Sequence, residues 1–291
     1  MTTDGVVLTS PDRVLWPERG FTKGQMVAYY EAVAPVMLPH LARRPMTLYR
    51  APEGIDTAGW YQTECRGAPS WMATVEVRGA RGAGQRYCVI ETLDGLLWAA
   101  NRGAIEFHPL PTRIDRLGEP TAVVFDLDPG PAASIADCCR VALLLRDALD
   151  GSGLTPVVKT SGSAGLHVVA AIAPGQTFAA SKQFVREHAR TLARQHPSLV
   201  VDRSVRAERH GRVFVDWVAN DLVRSIVAPY SLRAVAWPVA STPLNWEEVA
   251  ATAERGTGEG MWFLPGAVLG RVERHGDLFA AALERGANLP G

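Results

Sequence analysis

Two aspartates, two residues apart, end an apolar run in TAVVFDLDPG, residues 121–130. In a strand, residues i and i+2 point to the same face. Asp126 and Asp128 therefore project together from a strand end, beside the turn forced by Pro129 and Gly130. Like charges held that close in an apolar setting are costly unless a cation neutralises them. Hard carboxylate oxygens suit magnesium or manganese. The bland alternative is a pair of solvated loop acids. RVFVDWV, residues 212–218, sets Asp216 in a second apolar strand with Arg212 as its only neighbouring cation. A lone buried carboxylate is expensive, and a shared metal gives a reason for it. Three carboxylates on sheet ends can hold two metals, the arrangement that clamps attacking and leaving oxygens in phosphoryl transfer.

A third feature is the loop TSGSAGLH, residues 160–167. Gly162 and Gly165 let backbone N–H groups face a phosphate, Thr160, Ser161 and Ser163 add hydroxyls, and His167 can donate to an oxyanion. By itself this is an ordinary hairpin loop, and no Gly-Lys-Ser/Thr makes it a Walker loop. Its weight comes from the acids before and after it.

The elements that must carry these residues follow from periodicity. TAVVFDLD reads as a buried strand, and an amphipathic helix is expected from Ile135 to Leu149. TPVVKT and LHVVAAI are strands bracketing SGSAG, a helix spans Ala179 to Gln195, and RVFVDWV and SIVAPY are further strands. Short helices are expected over Trp246–Ala251 and Asp277–Glu284. Upstream, Thr22 is an N-cap for a helix carrying Met26, Tyr29, Tyr30, Val33, Val36 and Met37 at helical spacing. MTLYR is a strand, WMATVEV and RYCVIE pair around the turn-rich GARGAGQ, TLDGLLWAANR is helical, and AIEFHPL is a strand. Without strict βαβ repetition the expected class is α+β, a mixed or antiparallel sheet flanked by helices. TRIDRLGEP is the boundary candidate, dividing residues 1–115 from 116–291.

The 291 residues are 47% apolar, with 30 basic and 30 acidic side chains. Zero net charge argues against non-specific coating of DNA but leaves room for a local basic patch. Cys65, Cys88, Cys138 and Cys139 form no CxxC pair and read as small core residues in a reducing compartment, with no disulfide. MTTDGVVLTS lacks the basic and apolar regions of a signal peptide, and no run nears the roughly 20 apolar residues of a membrane span. A soluble, cytoplasmic protein without a membrane partner is expected.

FDLDPG, TSGSAGLHV and RVFVDW resemble the three motifs of the archaeo-eukaryotic primase superfamily. LTSPDRVLWPERGFTKGQMVAYYEAVAPVMLPHLARRP, IVAPYSLRA and STPLNW narrow the likeness to the polymerase domain of bacterial ligase D, over roughly Val7 to Leu283. With no ligase or nuclease domain in these residues, the chain is a stand-alone relative or an isolated domain. The resemblance implies one primase-polymerase domain with an RRM-like catalytic sheet. Residues 1–115 would form an N-terminal subdomain for 5′-phosphate and template contacts, and residues 116–291 a palm-like catalytic subdomain. Asp126, Asp128 and Asp216 would be catalytic, holding two manganese or magnesium ions. Ser161, His167, Arg233 and His108 would bind the NTP or dNTP. Lys23 and Arg13 would take the DNA 5′-phosphate, and Trp60 and Tyr61 would stack on template bases. Read by residue type alone, His108 is a satisfied core histidine and the two aromatics are ordinary packing.

The implied activity is template-dependent addition of ribo- or deoxyribonucleotides at gaps or broken double-stranded ends during non-homologous end joining. A separate ligase and a Ku-type end-binding protein would be partners. Ala164 and Thr63 stand where the family has lysines, so catalysis would be weaker unless Arg50, Arg102 or Arg224 compensates. One rival is a phosphatase of the haloacid-dehalogenase type, which Pro129-Gly130 and the isolated Asp216 do not fit. Another is an end-binding module that bridges DNA without catalysis.

Overall fold

The computed structural model describes residues 2–3, 6–78 and 84–290, so the tip of the GARGAGQ turn, residues 79–83, lies outside the described residues. The chain forms two compact units. The first comprises Met1–Asp115, Ser225–Ser241 and Phe263–Gly276, and the second Arg116–Arg224, Thr242–Trp262 and Asp277–Gly291. Each is an α+β structure.

In the first unit, helix α1 (Lys23–Leu41) starts at a capping box: the Thr22 hydroxyl accepts from the Gln25 amide, and the Gln25 side chain accepts from the Thr22 amide. Its buried stripe includes Met26, Tyr29, Tyr30, Val33, Met37 and Leu41. Strands β1 (Pro45–Arg50), β2 (Trp60–Gln62), β3 (Thr74–Arg78), β4 (Gly84–Val89) and β5 (Ala104–Pro109) form an antiparallel sheet. β1 pairs with β2, β4 and β5, and β3 pairs with β4. Helix α2 (Leu93–Asn101) precedes β5. Tyr30 stacks edge-on against Phe107 at 5.0 Å, and its hydroxyl donates to the Ile105 carbonyl.

Cys65 and Cys88 correct the expectation of four free thiols: they form a disulfide. The Cys65 amide donates to the Arg86 carbonyl at 2.7 Å, so its segment runs along β4 and brings the two Cα atoms to 4.9 Å. That separation lies within bridging range, and a sequence separation of 23 gave no hint of it. Cys138 and Cys139 are free and buried, and burial holds both thiols protonated, Cys139 up to about 12.

The second unit holds a six-stranded sheet built from β6 (Ala122–Pro129), β7 (Pro156–Thr160), β8 (Leu166–Ala171), β9 (Val200–Val201), β10 (Val213–Asp216) and β11 (Pro243–Leu244). The strand order is β9-β10-β6-β8-β7-β11, antiparallel except for β9 beside β10. Strand β6 is central because its alternate residues Val123, Phe125 and Leu127 are fully buried. Helix α3 (Ile135–Asp150) opens with a Ser134–Asp137 capping box, and α4 (Phe178–Gln195) starts where the Thr177 hydroxyl accepts from the Ala180 amide. Both cover the sheet: the His188 ring of α4 meets Phe125 at 6.0 Å, and the Cys138 thiol of α3 reaches the Leu127 carbonyl. Helix α5 (Trp246–Arg255) lies against α3.

Two expected elements differ. SIVAPY is irregular rather than a strand, since Pro229 has no amide to give a ladder and Tyr230 adopts φ 68°. The stretch after Asp277 forms only a short 3-10 turn, Ala280–Leu283. Helix α6 (Pro265–His275), which begins with Pro at its first turn, adds to the expected elements. Among the described residues no helix is long and apolar enough to cross a membrane.

Candidate active site

Register builds the site in the second unit. Asp126 lies opposite Asp216 on one side and opposite His167 on the other, and His167 lies opposite Lys159. Directly opposed residues of antiparallel strands point to the same face. One row across the sheet therefore reads Asp216, Asp126, His167, Lys159. Asp128, two residues on, joins the acids on that face opposite Phe214. The helices α3 and α4 take the other face, where Phe125 and Leu127 point.

Each carboxylate has a different partner. The Asp126 Oδ1 lies 3.3 Å from His167 Nε2, the Asp128 Oδ2 lies 3.9 Å from the Arg209 guanidinium, and the Asp216 Oδ1 accepts from the Val218 amide at 2.7 Å. Among the described residues, no three His, Cys, Asp or Glu side chains close into a ready metal cage. The electrostatics nevertheless register the crowding. Burial, with the charges of Asp126 and Asp216, pushes the Asp128 carboxyl up to about 6 against the pull of Arg209. Burial also raises Asp216; the Asp126 charge adds to it, and the Val218 amide, Arg224 and Arg209 oppose it. All-oxygen donors that repel one another on one face are a chemical fit for hard divalent cations.

Lys159 was not singled out from the sequence. It is fully buried, and its Nζ lies 2.8 Å from His167 Nδ1. A protonated Lys159 can only donate, which would leave Nδ1 the acceptor and the ring proton on Nε2, facing Asp126. The signal available was a single cation in the otherwise apolar PVVKT. Arg209 was also missed, because it lies in a polar loop whose approach to the acids depends on the fold. Gly130 permits that approach: a Cβ there would sit 1.8 Å from the Arg209 carbonyl oxygen.

The loop after β7 is tied by Ser161, whose hydroxyl accepts from the amides of Ser163 and Gly165, while its amide donates to the Gly165 carbonyl. Gly165 lies against β6, where a Cβ would meet the Leu127 carbonyl oxygen at 1.9 Å. The loop is thus locked beside the acid-bearing strand, with Ala164 exposed at its tip.

The remaining candidates lie in the first unit. His108 Nε2 and Glu106 Oε2 are 2.7 Å apart, and Arg233 Nε lies 3.2 Å from Glu106 Oε1. The chain around Arg233 is placed by Ser231, whose hydroxyl accepts from the Phe107 amide, and by the Ala234 amide donating to Glu106. Burial of Glu106 alone would raise its pKa, but the His108 hydrogen bond, then Arg233, outweigh it and hold the carboxyl low. Glu106 was missed, although it stands two residues before His108 on one strand, the spacing used for Asp126 and Asp128.

Tyr61 packs edge-on to His108 at 5.5 Å and is 60% exposed, while Trp60 is 46% exposed with Arg50 over its ring. Arg50 itself is engaged, donating to the Arg102 carbonyl and Gln62. Lys23 donates from Nζ to the Thr9 carbonyl at 2.6 Å, and its amide donates to the Arg13 carbonyl. Burial and the nearby Arg13 charge lower its pKa. Arg13 also pairs with Glu53.

The chain matches the family described as "LigD, primase-polymerase domain" over residues 22–279. It is 34% identical over 278 residues to the multifunctional non-homologous end joining protein LigD of Mycolicibacterium smegmatis, covering 94% of this chain and 36% of that protein. It is 26% identical over 245 residues to the bifunctional LigD of Bacillus subtilis, covering 84% of this chain and 39% of that protein. The chain thus spans little more than a third of the length of these relatives. Among solved structures it resembles the polymerase domain of Mycobacterium tuberculosis ligase D in complex with DNA. The TM-score is 0.89 at 33% identity, over 97% of this chain and 99% of that one. The chain belongs to the LigD primase-polymerase family.

Proposed function

We propose that this protein is a template-dependent nucleotidyltransferase that adds ribo- or deoxyribonucleotides at gaps or broken DNA ends in repair by end joining. The observation that carries the reading is the direct opposition of Asp126 and Asp216, with Asp128 on the same face. Burial and like charge raise the pKa values of Asp128 and Asp216 in that row, a cost that bound cations would relieve.

Asp126, Asp128 and Asp216 would hold two manganese or magnesium ions. The chemistry supplied there is a lowered pKa at the primer 3′-hydroxyl and neutralised triphosphate charge. In the reaction a bond forms between the 3′-oxygen and the α-phosphorus. The bond from that phosphorus to the pyrophosphate oxygen breaks, and the hydroxyl proton leaves to solvent. His167, fixed by Lys159, and the Ser161 loop orient the triphosphate. His108 and Arg233, steadied by Glu106, are further nucleotide contacts. Lys23 and Arg13 form a paired-cation seat for the DNA 5′-phosphate, and the exposed rings of Trp60 and Tyr61 stack on template bases. A separate ligase and a Ku-type protein would act with it, and the cytoplasm is the compartment proposed.

The test is primer extension with manganese and NTPs on gapped DNA, with and without the 5′-phosphate. Extension that depends on Asp126 and is favoured by the phosphate supports the reading. A second reading, an end-binding module of weak catalysis, is favoured by Ala164 standing exposed where the family has lysine. Tight binding to 5′-phosphorylated gaps without extension under either metal decides for it.

A further inference from the structure

Strand β10 ends at Asp216, and the chain turns at once through Trp217, Val218 and Ala219 to Asn220. Asp126 lies opposite Asp216, so extending that register by two residues would set Val124 opposite Val218. This backbone rung does not form. The Val218 amide turns back instead and donates to Asp216 Oδ1 at 2.7 Å. Val124 is buried, and its backbone groups are paired by the Asn220 side chain. The Val124 amide donates to Asn220 Oδ1 at 2.9 Å, and the Val124 carbonyl accepts from Asn220 Nδ2 at 2.7 Å. The same Nδ2 donates to the Trp217 carbonyl at 3.2 Å, as the Asn220 backbone amide does at 3.3 Å, which closes the turn. Asn220 is itself buried, and the roles assigned so far leave it unused.

A side-chain amide carries both an acceptor oxygen and donor N–H groups. It can therefore meet a buried backbone N–H and C=O together, which neither a carboxylate nor an apolar side chain can do. Buried backbone groups left unpaired are costly. Without Asn220, the Val124 carbonyl would draw on the amide that register sets opposite it, that of Val218. Asp216 would then lose its hydrogen bond. We propose that Asn220 is a positioning residue for the acid row: it takes the missing rung between β6 and β10 and leaves the Val218 amide to hold the Asp216 carboxylate opposite Asp126. A carboxylate that binds a cation depends on such outer hydrogen bonds for its orientation, and losing one costs metal affinity roughly tenfold to a hundredfold. The inference rests on the polymerase reading for the use of the row, and on the hydrogen bonds around β10 for the rest.

The test is Asn220→Ala, with its urea unfolding curve compared with wild type to show that the fold is kept. Manganese binding is measured without DNA or nucleotide, from the electron paramagnetic resonance signal of the free aqua ion. Affinity should fall roughly tenfold or more. The Val218 amide proton resonance should move upfield with it, as that amide exchanges a carboxylate acceptor for a carbonyl. Primer extension should need correspondingly more manganese and recover when manganese is saturating. Unchanged manganese affinity, or a wild type that binds no manganese, would overturn the proposal. So would lost affinity with the Val218 resonance in place, which would make Asn220 a residue of general stability. Should Asn220→Ala fail to fold, Asn220→Gln keeps the carboxamide but sets it one methylene too far, and the same two measurements decide with the same outcomes. If the variant loses manganese affinity as expected yet wild type extends no primer, the positioning role stands and the polymerase reading fails.

Discussion

Lys159 Nζ and His167 Nδ1 are 2.8 Å apart, the lysine fully buried, and His167 in turn places Nε2 at 3.3 Å from Asp126. A protonated lysine there would set the imidazole tautomer that points a proton at the acid row. Lys159→Met removes the donor at similar volume. The KM for NTP should then rise roughly tenfold, the size of one charged hydrogen bond, with DNA affinity unchanged. Imidazole nitrogen chemical shifts should show a mixture of tautomers in place of one. A single unchanged tautomer would contradict this role.

The crowding of Asp128 has a pH signature. Its folded pKa of about 6 exceeds the usual unfolded value of about 4. The folded state therefore binds the proton more tightly. This group's contribution to stability is present below about pH 4 and lost as the pH rises through about 6. In EDTA, Asp128→Asn should melt higher than wild type above pH 6, and the gain should fade toward pH 4. Parallel melting curves across that range would show that the carboxyl is not perturbed.

Glu106 is 4% exposed and meets both His108 and Arg233. Glu106→Ala leaves Arg233 without that carboxylate, and breaking a buried charge pair from one side costs about 3 kcal/mol. Urea unfolding should report that loss. A midpoint equal to wild type would mean that the network contributes nothing to the first unit.

Lys23 and Arg13 are close enough for the Arg13 charge to help lower the Lys23 pKa. Two cations held together favour a dianion. Lys23→Ala should weaken binding of 5′-phosphorylated gapped DNA roughly tenfold and leave the 5′-hydroxyl version unaffected. Equal losses on both would assign Lys23 a structural role, through its hydrogen bonds to Thr9.

Much of this arrangement could be read from single residues. The i, i+2 rule put Asp126 and Asp128 on one face, the Thr22 cap started α1, and the apolar stretches gave the strands of the second sheet. What could not be read was lateral order. Nothing in PVVKT says that its lysine will stand beside His167, because register is decided by pairing over the whole sheet. The Cys65–Cys88 bridge and the Arg209–Asp128 contact likewise depend on chain segments that meet only after folding. SIVAPY looked like a strand because its residues are apolar. Val227, Ala228 and Tyr230 are indeed buried, but along an irregular path whose amides bond to Phe107 and Ser241.

The most direct measurement is primer extension on a 5′-phosphorylated gap with manganese and NTPs, comparing wild type with Asp216→Ala. Wild type should extend the primer, and the variant should fall by roughly a thousandfold or more, with unchanged DNA binding. Full activity in Asp216→Ala would contradict the polymerase reading, because the acid opposite Asp126 would then have no part in the chemistry.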